Sequence, residues 1–176
     1  EQIGELILMV EICGAKENTK KIISHIVEDT EYHYFNSIAK HAEKALEDAL
    51  QKVNFAVSET IKHTKKEWLA SSSVLIIAHY GNEVNFTQIG KINAFLISDK
   101  ESSQIIDPTE ENEINPVKPF GNIYSGSMPE NSALLFVTSS ILDYISQEKL
   151  RKICKEQSTE IASKHIKDLL KKAPKT

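Results

Sequence analysis

Six histidines are the first chemistry to test: His25, His33, His41, His63, His79 and His165. None stands four residues from another, so neither an HxxxH nor an HExxH zinc pair is formed. His79 lies in an apolar run and reads as a satisfied core or edge histidine. Neither the GxSxG elbow of serine hydrolases nor the GxxxxGK loop that cradles phosphate occurs. Cys13 and Cys154 stand far apart with no CxxC pair, so they read as two reduced thiols rather than a zinc site or a disulfide framework. Carboxylates remain, because hard divalent cations take oxygen ligands. Glu11 follows the first apolar run, Asp143 comes shortly after another at 132–138, and Asp99 and Asp107 flank a polar stretch. A two-metal centre needs several acids converging in space. No tight acidic cluster marks the ends of the apolar runs.

The elements that would position these groups follow from hydrophobic period. Leu6–Val10, bounded by Gly4 and Gly14, reads as a strand buried on both faces, since it lacks polar alternation. Lys20–Tyr34 places Ile22, Ile23, Ile26 and Val27 at helical spacing. Ile38–Lys65 is the clearest helix, with Ala42, Ala45, Leu46, Ala49, Leu50, Val53, Ala56, Val57 and Ile61 forming a wide apolar stripe. Its alanines imply close packing. Ser73–Tyr80 and Val84–Ile89 read as strands joined by a Gly81-Asn82 hairpin turn. Gly90–Asn93 is a turn or bulge, and Ala94–Ile97 completes an expected three-stranded meander. Asp99–Pro119 is polar and carries Pro108, Pro116 and Pro119, so a long surface loop is expected. Ser132–Thr138 reads as another buried strand. A helix opens at Ser146–Ile153, with Ser146 as N-cap, and Ser158–Lys172 is a final amphipathic helix. Hairpins and helices arranged in blocks argue for an α+β fold rather than a doubly wound parallel sheet. The stretch Ser71–Asp143 is laid out like an α/β enzyme core, without a complete catalytic set.

Composition narrows the class. With 40% hydrophobic and 26% charged residues, the chain is an ordinary globular protein with room for one sizeable core. The net charge of −4 gives no bias toward nucleic acid, and no RNA-stacking aromatic motif occurs. From Lys149 onward, however, nine Lys/Arg face three Asp/Glu. That basic end fits an anionic membrane or acidic partner, although a solvated helix face is the plainer account. No apolar run reaches the roughly 18 residues of a membrane helix, and no signal peptide is visible. The chain opens at Glu1 rather than Met, so a fragment of a longer chain is expected.

The order of these pieces resembles the metal-dependent protein phosphatases of the PPM (type 2C) family. That family has a strand ending V-x-D-G, followed by GG and a helix; Val10-Glu11-Ile12-Cys13-Gly14-Ala15 stands in that place. Its A-x-x-x-A-N helix pattern is similar to Ala45–Ala49 with Val53-Asn54. Its G-[ST]-T strand is similar to Ser71–Ile77. The strand carrying N-x-G-D-S-R is similar to Phe86–Ile97, which contains Gly90-Lys91-Ile92-Asn93. The strand leading to T-D-G-L-x-D is similar to Leu134–Asp143, and the helix with Glu148, Leu150 and Ile153 also fits. The resemblance spans nearly the whole chain. It implies a single domain over 1–176, a layered α-β-β-α sandwich with mainly antiparallel sheets, short of its last strand.

The departures carry the functional expectation. The family's first metal-bridging aspartate corresponds to Glu11, and the glycine after it to Ile12. The acid of G-D-S-R corresponds to the cation Lys91. The aspartate and glycine of the late D-G pair correspond to Ser139 and Ser140, and the closing aspartate to Asp143. The final D-N motif is absent, and the early phosphate-meeting arginine has no counterpart before Gly4. The resemblance therefore implies a pseudophosphatase: a binding or regulatory module with a protein partner, no catalytic residue, no cofactor, and Glu11 as a weak metal candidate. Two alternatives stand beside it. One is a divergent active serine/threonine phosphatase using Mg or Mn. The other is a cytosolic sensor domain of a membrane-tethered protein, in contact with the membrane through its basic final helix or flanking sequence. The expected location is the cytoplasm or the cytoplasmic face of a membrane.

Overall fold

A computed structural model describes residues 3–12, 19–62, 72–98, 101–108 and 114–172. Cys13, Gly14, His63, Ser71, Asp99 and the expected end of the long helix at 63–65 lie outside them. The chain divides into two compact units, Glu1–Gly90 with Glu111–Ser127, and Lys91–Glu110 with Met128–Thr176. The fold is α+β with two antiparallel sheets, as expected.

The first unit carries strands β1 (Glu5–Ile12), β2 (Ser72–Tyr80), β3 (Glu83–Ile89) and β6 (Tyr124–Ser127) in the order β1-β2-β3-β6. Strand β1 is not buried on both faces. It ends the sheet and pairs among the described residues only with β2, from Glu5 opposite His79 to Ile12 opposite Ser72. Leu6, Leu8 and Val10 lean on the core while Ile7 is 51% exposed. An apolar run thus covers one face and leaves the other open, which composition alone cannot distinguish from double burial. The β2–β3 hairpin closes through Gly81-Asn82 with Gly81 at φ +62°, the conformation a type II′ turn asks of its first central residue.

Above this sheet lie α1 (Thr19–Ser24), a single π-helical segment (His25–Asp29), α2 (Thr30–Phe35) and α3 (Ala42–Lys62). The sequence-expected helix at 20–34 is therefore interrupted by a π-turn. Its last residue Asp29 and the flanking Ser24 and Thr30 all keep right-handed helical angles. Ile22, Ile26, Thr30 and Tyr34 are the buried positions. The predicted stripe of α3 is buried from Ala42 to Ile61 against Val74, Ile76 and Ala78 of β2, except for Ala56, which is half-buried. Small alanines let the helix approach the sheet, and each fully buried Leu or Val contributes about 1.5–3 kcal/mol. Asn54 of α3 donates through Nδ2 to the Phe120 carbonyl at 3.0 Å and accepts from the Phe120 N–H at 2.9 Å. That amide ties the loop before β6 to the helix.

The second unit carries β4 (Ile92–Ser98), β5 (Ser102–Ile106) and β7 (Ser132–Thr138) in the order β5-β4-β7. The meander expected from the sequence is corrected here: β4 does not pair with β3 but founds the other sheet. Gly90, at φ +84°, makes the exit between them. A Cβ there would collide with the Ser72 carbonyl, so only glycine fits. The expected loop at 99–119 contains β5, which pairs with β4 across a bulge at Ala94/Phe95. Among the described residues strand β7 ends its sheet, and it is mostly half-buried rather than buried. A 3₁₀ turn (Ser139–Asp143) leads to α4 (Gln147–Glu156) and α5 (Thr159–Lys171). Ser146 caps α4 as the sequence predicts, its hydroxyl accepting from Lys149 N–H at 3.3 Å. Phe95, Ile97, Val137, Ile145 and Leu150 form the unit's core, and the Arg151 guanidinium lies 4.5 Å over the Phe95 ring. No described helix is long and apolar enough to cross a membrane.

Candidate functional site

The site positions implied by the sequence fall in both units. Glu11 and Ile12 close β1, opposite Ser73 and Ser72 of β2; Glu11 is exposed and Ile12 half-buried. Lys91, Ser139 and Asp143 belong to the second unit. Lys91 stands just before β4, Ser139 opens the 3₁₀ turn after β7, and Asp143 closes that turn with its side chain exposed.

Lys91 and Ser139 are brought together by the β4–β7 pairing, whose register ends at Ile92 opposite Thr138. The next step outward joins the Ser139 N–H to the Lys91 carbonyl at 2.9 Å. The Ser139 hydroxyl donates to the same carbonyl at 3.3 Å and accepts from Asn93 Nδ2, also at 3.3 Å. Asn93 is 3% exposed and in turn accepts from Gln104 Nε2 at 3.2 Å. Gln104 Nε2 also donates to the Ile106 carbonyl at 3.2 Å. Next to Ser139, the hydroxyls of Thr138 and Ser140 lie 3.0 Å apart. A neutral polar track thus runs from β5 through β4 to the turn after β7.

Asn93 and Gln104 were not singled out by the sequence. A polar residue within a run as apolar as Ile92–Ile97 is the signal that points to Asn93, because a buried amide must find partners. Gln104 carried no such signal while its strand read as loop.

The donor set at the positions where the resemblance implies a metal pair is poor in carboxylates. It comprises the lone carboxylate Glu11 in one unit, a cationic side chain at Lys91, and at Ser139 a hydroxyl engaged as both donor and acceptor. A hydroxyl carries no charge to offset a divalent ion, and one lone pair of Ser139 Oγ already accepts from Asn93 Nδ2. Asp143 adds an exposed acid at the far end of the 3₁₀ turn. Among the described residues, no three His, Cys, Asp or Glu side chains group closely enough to hold a metal ion. These residues do not fit a two-metal centre.

No protein-family model matches the sequence, and no curated protein matches it. Solved structures do. The chain is similar to the catalytic domain of the serine/threonine protein phosphatase PstP in complex with two manganese ions, with TM-score 0.68 and 14% identity over 93% of this chain and 80% of that one. It is similar to PppA, described as a key regulatory component of T6SS in Pseudomonas aeruginosa, with TM-score 0.69 and 12% identity over 93% and 78%. It is also similar to a serine/threonine phosphatase from Staphylococcus aureus, with TM-score 0.63 and 15% identity over 94% and 76%. The chain therefore has the fold of the PPM-type serine/threonine phosphatases.

Proposed function

We propose that this PPM-fold chain is a binding or regulatory module for a partner protein, and that it does not hydrolyse phosphoesters through a metal pair. The observation that carries this reading is the state of Ser139. Its hydroxyl is held between Asn93 Nδ2 and the Lys91 carbonyl, in the place where the resemblance puts a metal-holding aspartate. The Lys91 side chain adds a positive charge where the resemblance puts another acid. Two divalent ions make hydroxide at neutral pH and clamp the phosphate, while an ammonium group repels them and a neutral hydroxyl supplies none of the negative charge that holds them. The test is hydrolysis of an aryl phosphate by the purified chain with Mn²⁺ or Mg²⁺. The expected result is background turnover. Turnover well above background that Glu11→Ala removes would overturn the proposal.

One observation favours a second reading. Glu11 remains an acid at the end of β1, and the similar PstP domain was solved with two manganese ions. A divergent active phosphatase would use Glu11 and Asp143 with further acids. Under that reading calorimetry detects Mn²⁺ binding, and Glu11→Gln weakens it; an absence of heat at millimolar metal rejects it.

A further inference from the structure

Arg151 is the single arginine among the 21 Lys and Arg residues of the chain. It is half-buried on α4, with its guanidinium 4.5 Å over the ring of the fully buried Phe95. The face of a ring attracts the cation but accepts none of its five N–H groups. Its Nε is buried and meets no acceptor. Among the described residues no carboxylate pairs with it, although Glu148 stands one turn back on the same helix. Buried donors are normally satisfied, so this guanidinium lacks a partner that its setting calls for.

A second orphaned group lies on the same face of the second unit's sheet. Ser102 Oγ of β5 is buried without a hydrogen-bond partner. Phe95 and Ile97 of β4 share one core with Leu150 of α4, so both turn the same face toward that helix. Ser102 stands opposite Ile97, and residues directly opposite share a face. Gln104, opposite Phe95, is already committed to Asn93 and the Ile106 carbonyl. Ser102 and Phe95 are diagonal neighbours, about 7–8 Å apart, and the guanidinium covers the Phe95 ring.

We propose that Arg151 and Ser102 form a binding site for a carboxylate. A guanidinium only donates and a hydroxyl can donate, so the partner missing from both is an acceptor. A carboxylate offers two coplanar oxygens to the planar guanidinium fork, and its one negative charge offsets the one positive charge. A phosphate dianion would leave a negative charge uncompensated at a half-buried position. Water would supply the acceptor without the charge. The site uses none of Glu11, Lys91, Ser139 or Asp143, so it goes beyond the proposed function and fails or holds independently of phosphoester turnover.

The test follows the Arg151 Nε–Hε resonance by nitrogen–proton correlation NMR, where a single arginine gives a single such signal. Acetate, a tetraglutamate peptide blocked at both ends and inorganic phosphate are titrated separately at constant ionic strength. A saturable shift with acetate is expected. Ser102→Ala removes a hydroxyl that bonds to nothing else, so it is expected to leave the fold intact and to weaken acetate binding by about tenfold or more. Arg151→Lys, followed at the Ser102 amide, is expected to weaken it at least as much while circular dichroism stays unchanged. Tighter binding of the peptide than of acetate supports the site with a partner protein's acidic side chain as its ligand, and equal binding supports it with a small carboxylate. A shift that never saturates, a preference for phosphate, or acetate binding indifferent to Ser102→Ala overturns the inference.

Discussion

Removing the Asn54 amide tests how the first unit holds its long connection before β6. Asn54 is 6% exposed and makes both of its bonds to the backbone of Phe120, 66 residues away, with Phe120 itself 2% exposed. In Asn54→Ala the Phe120 N–H and carbonyl both lose their partner in a buried setting. Each orphaned group costs about 1–3 kcal/mol, so the variant should lose about 2–6 kcal/mol. The lower part of that range applies if water enters the space left behind. Against a typical total of about 5–15 kcal/mol this is a large fraction. Urea unfolding is the assay, with the midpoint falling and the slope unchanged. Amide exchange at Phe120 should rise in the native state. Asn54→Asp separates the two bonds. An ionised carboxylate still accepts from the Phe120 N–H, but it faces the Phe120 carbonyl without a proton to give. Its folded pKa is therefore raised, and stability should recover as the pH falls and the group protonates. A loss under about 1 kcal/mol in Asn54→Ala, with Phe120 exchange unchanged, would refute the reasoning.

Three further outcomes follow from other contacts. Burial pushes the Tyr34 phenol above its ordinary value of 10.0, and its hydroxyl donates to the Ile3 carbonyl at 2.6 Å. The unfolded chain then releases that proton first, so this contribution to stability is complete below pH 10.0 and is lost as the pH rises through the folded value. Tyr34→Phe should flatten that alkaline decline and cost about 1 kcal/mol at neutral pH, both measured by urea titration across pH. In the second unit, Asn93→Ala strips a partner from both Gln104 and Ser139 and should destabilise by about 1–3 kcal/mol in thermal unfolding. Ser139→Ala should cost less than Asn93→Ala, because both side-chain bonds of Ser139 are long at 3.3 Å.

What the sequence displayed, and what it concealed, divides along physical lines. The stripe of α3 and the Ser146 cap were legible because both are local patterns, helical period in one case and a hydroxyl before a first turn in the other. The Gly81-Asn82 hairpin was legible for the same reason. The sheet to which β4 belongs was not, because pairing partners lie far apart in sequence and Gly90 reads equally well as a hairpin turn. Strand β5 was hidden by the polar residues Ser102, Ser103 and Gln104, whose short edge strand has little apolar signal to show. The half-open state of β1 escaped for the opposite reason, since a run of Leu, Ile, Met and Val gives no sign of which side is covered. The candidate positions Glu11, Lys91 and Ser139 were picked out through the resemblance. The polar track that engages Ser139 depends on the β5–β4–β7 pairing, which only the fold supplies.

The π-turn at His25–Asp29 bears on how this helix tolerates changes in length. Its buried residues Ile22, Ile26, Thr30 and Tyr34 recur every four positions. A regular α-helix advances about 100° per residue, so three such steps would carry Tyr34 about 120° away from Ile22. The wider π-turn absorbs that drift and keeps the four side chains on one side. The segment therefore holds one residue more than a regular helix would need. Deleting the exposed Glu28 would leave the buried positions spaced four, three and four, the rhythm an uninterrupted α-helix keeps by itself. At this point the helix can shorten by one residue without turning its core face away, whereas adding a residue would rotate Thr30 and Tyr34 out of it.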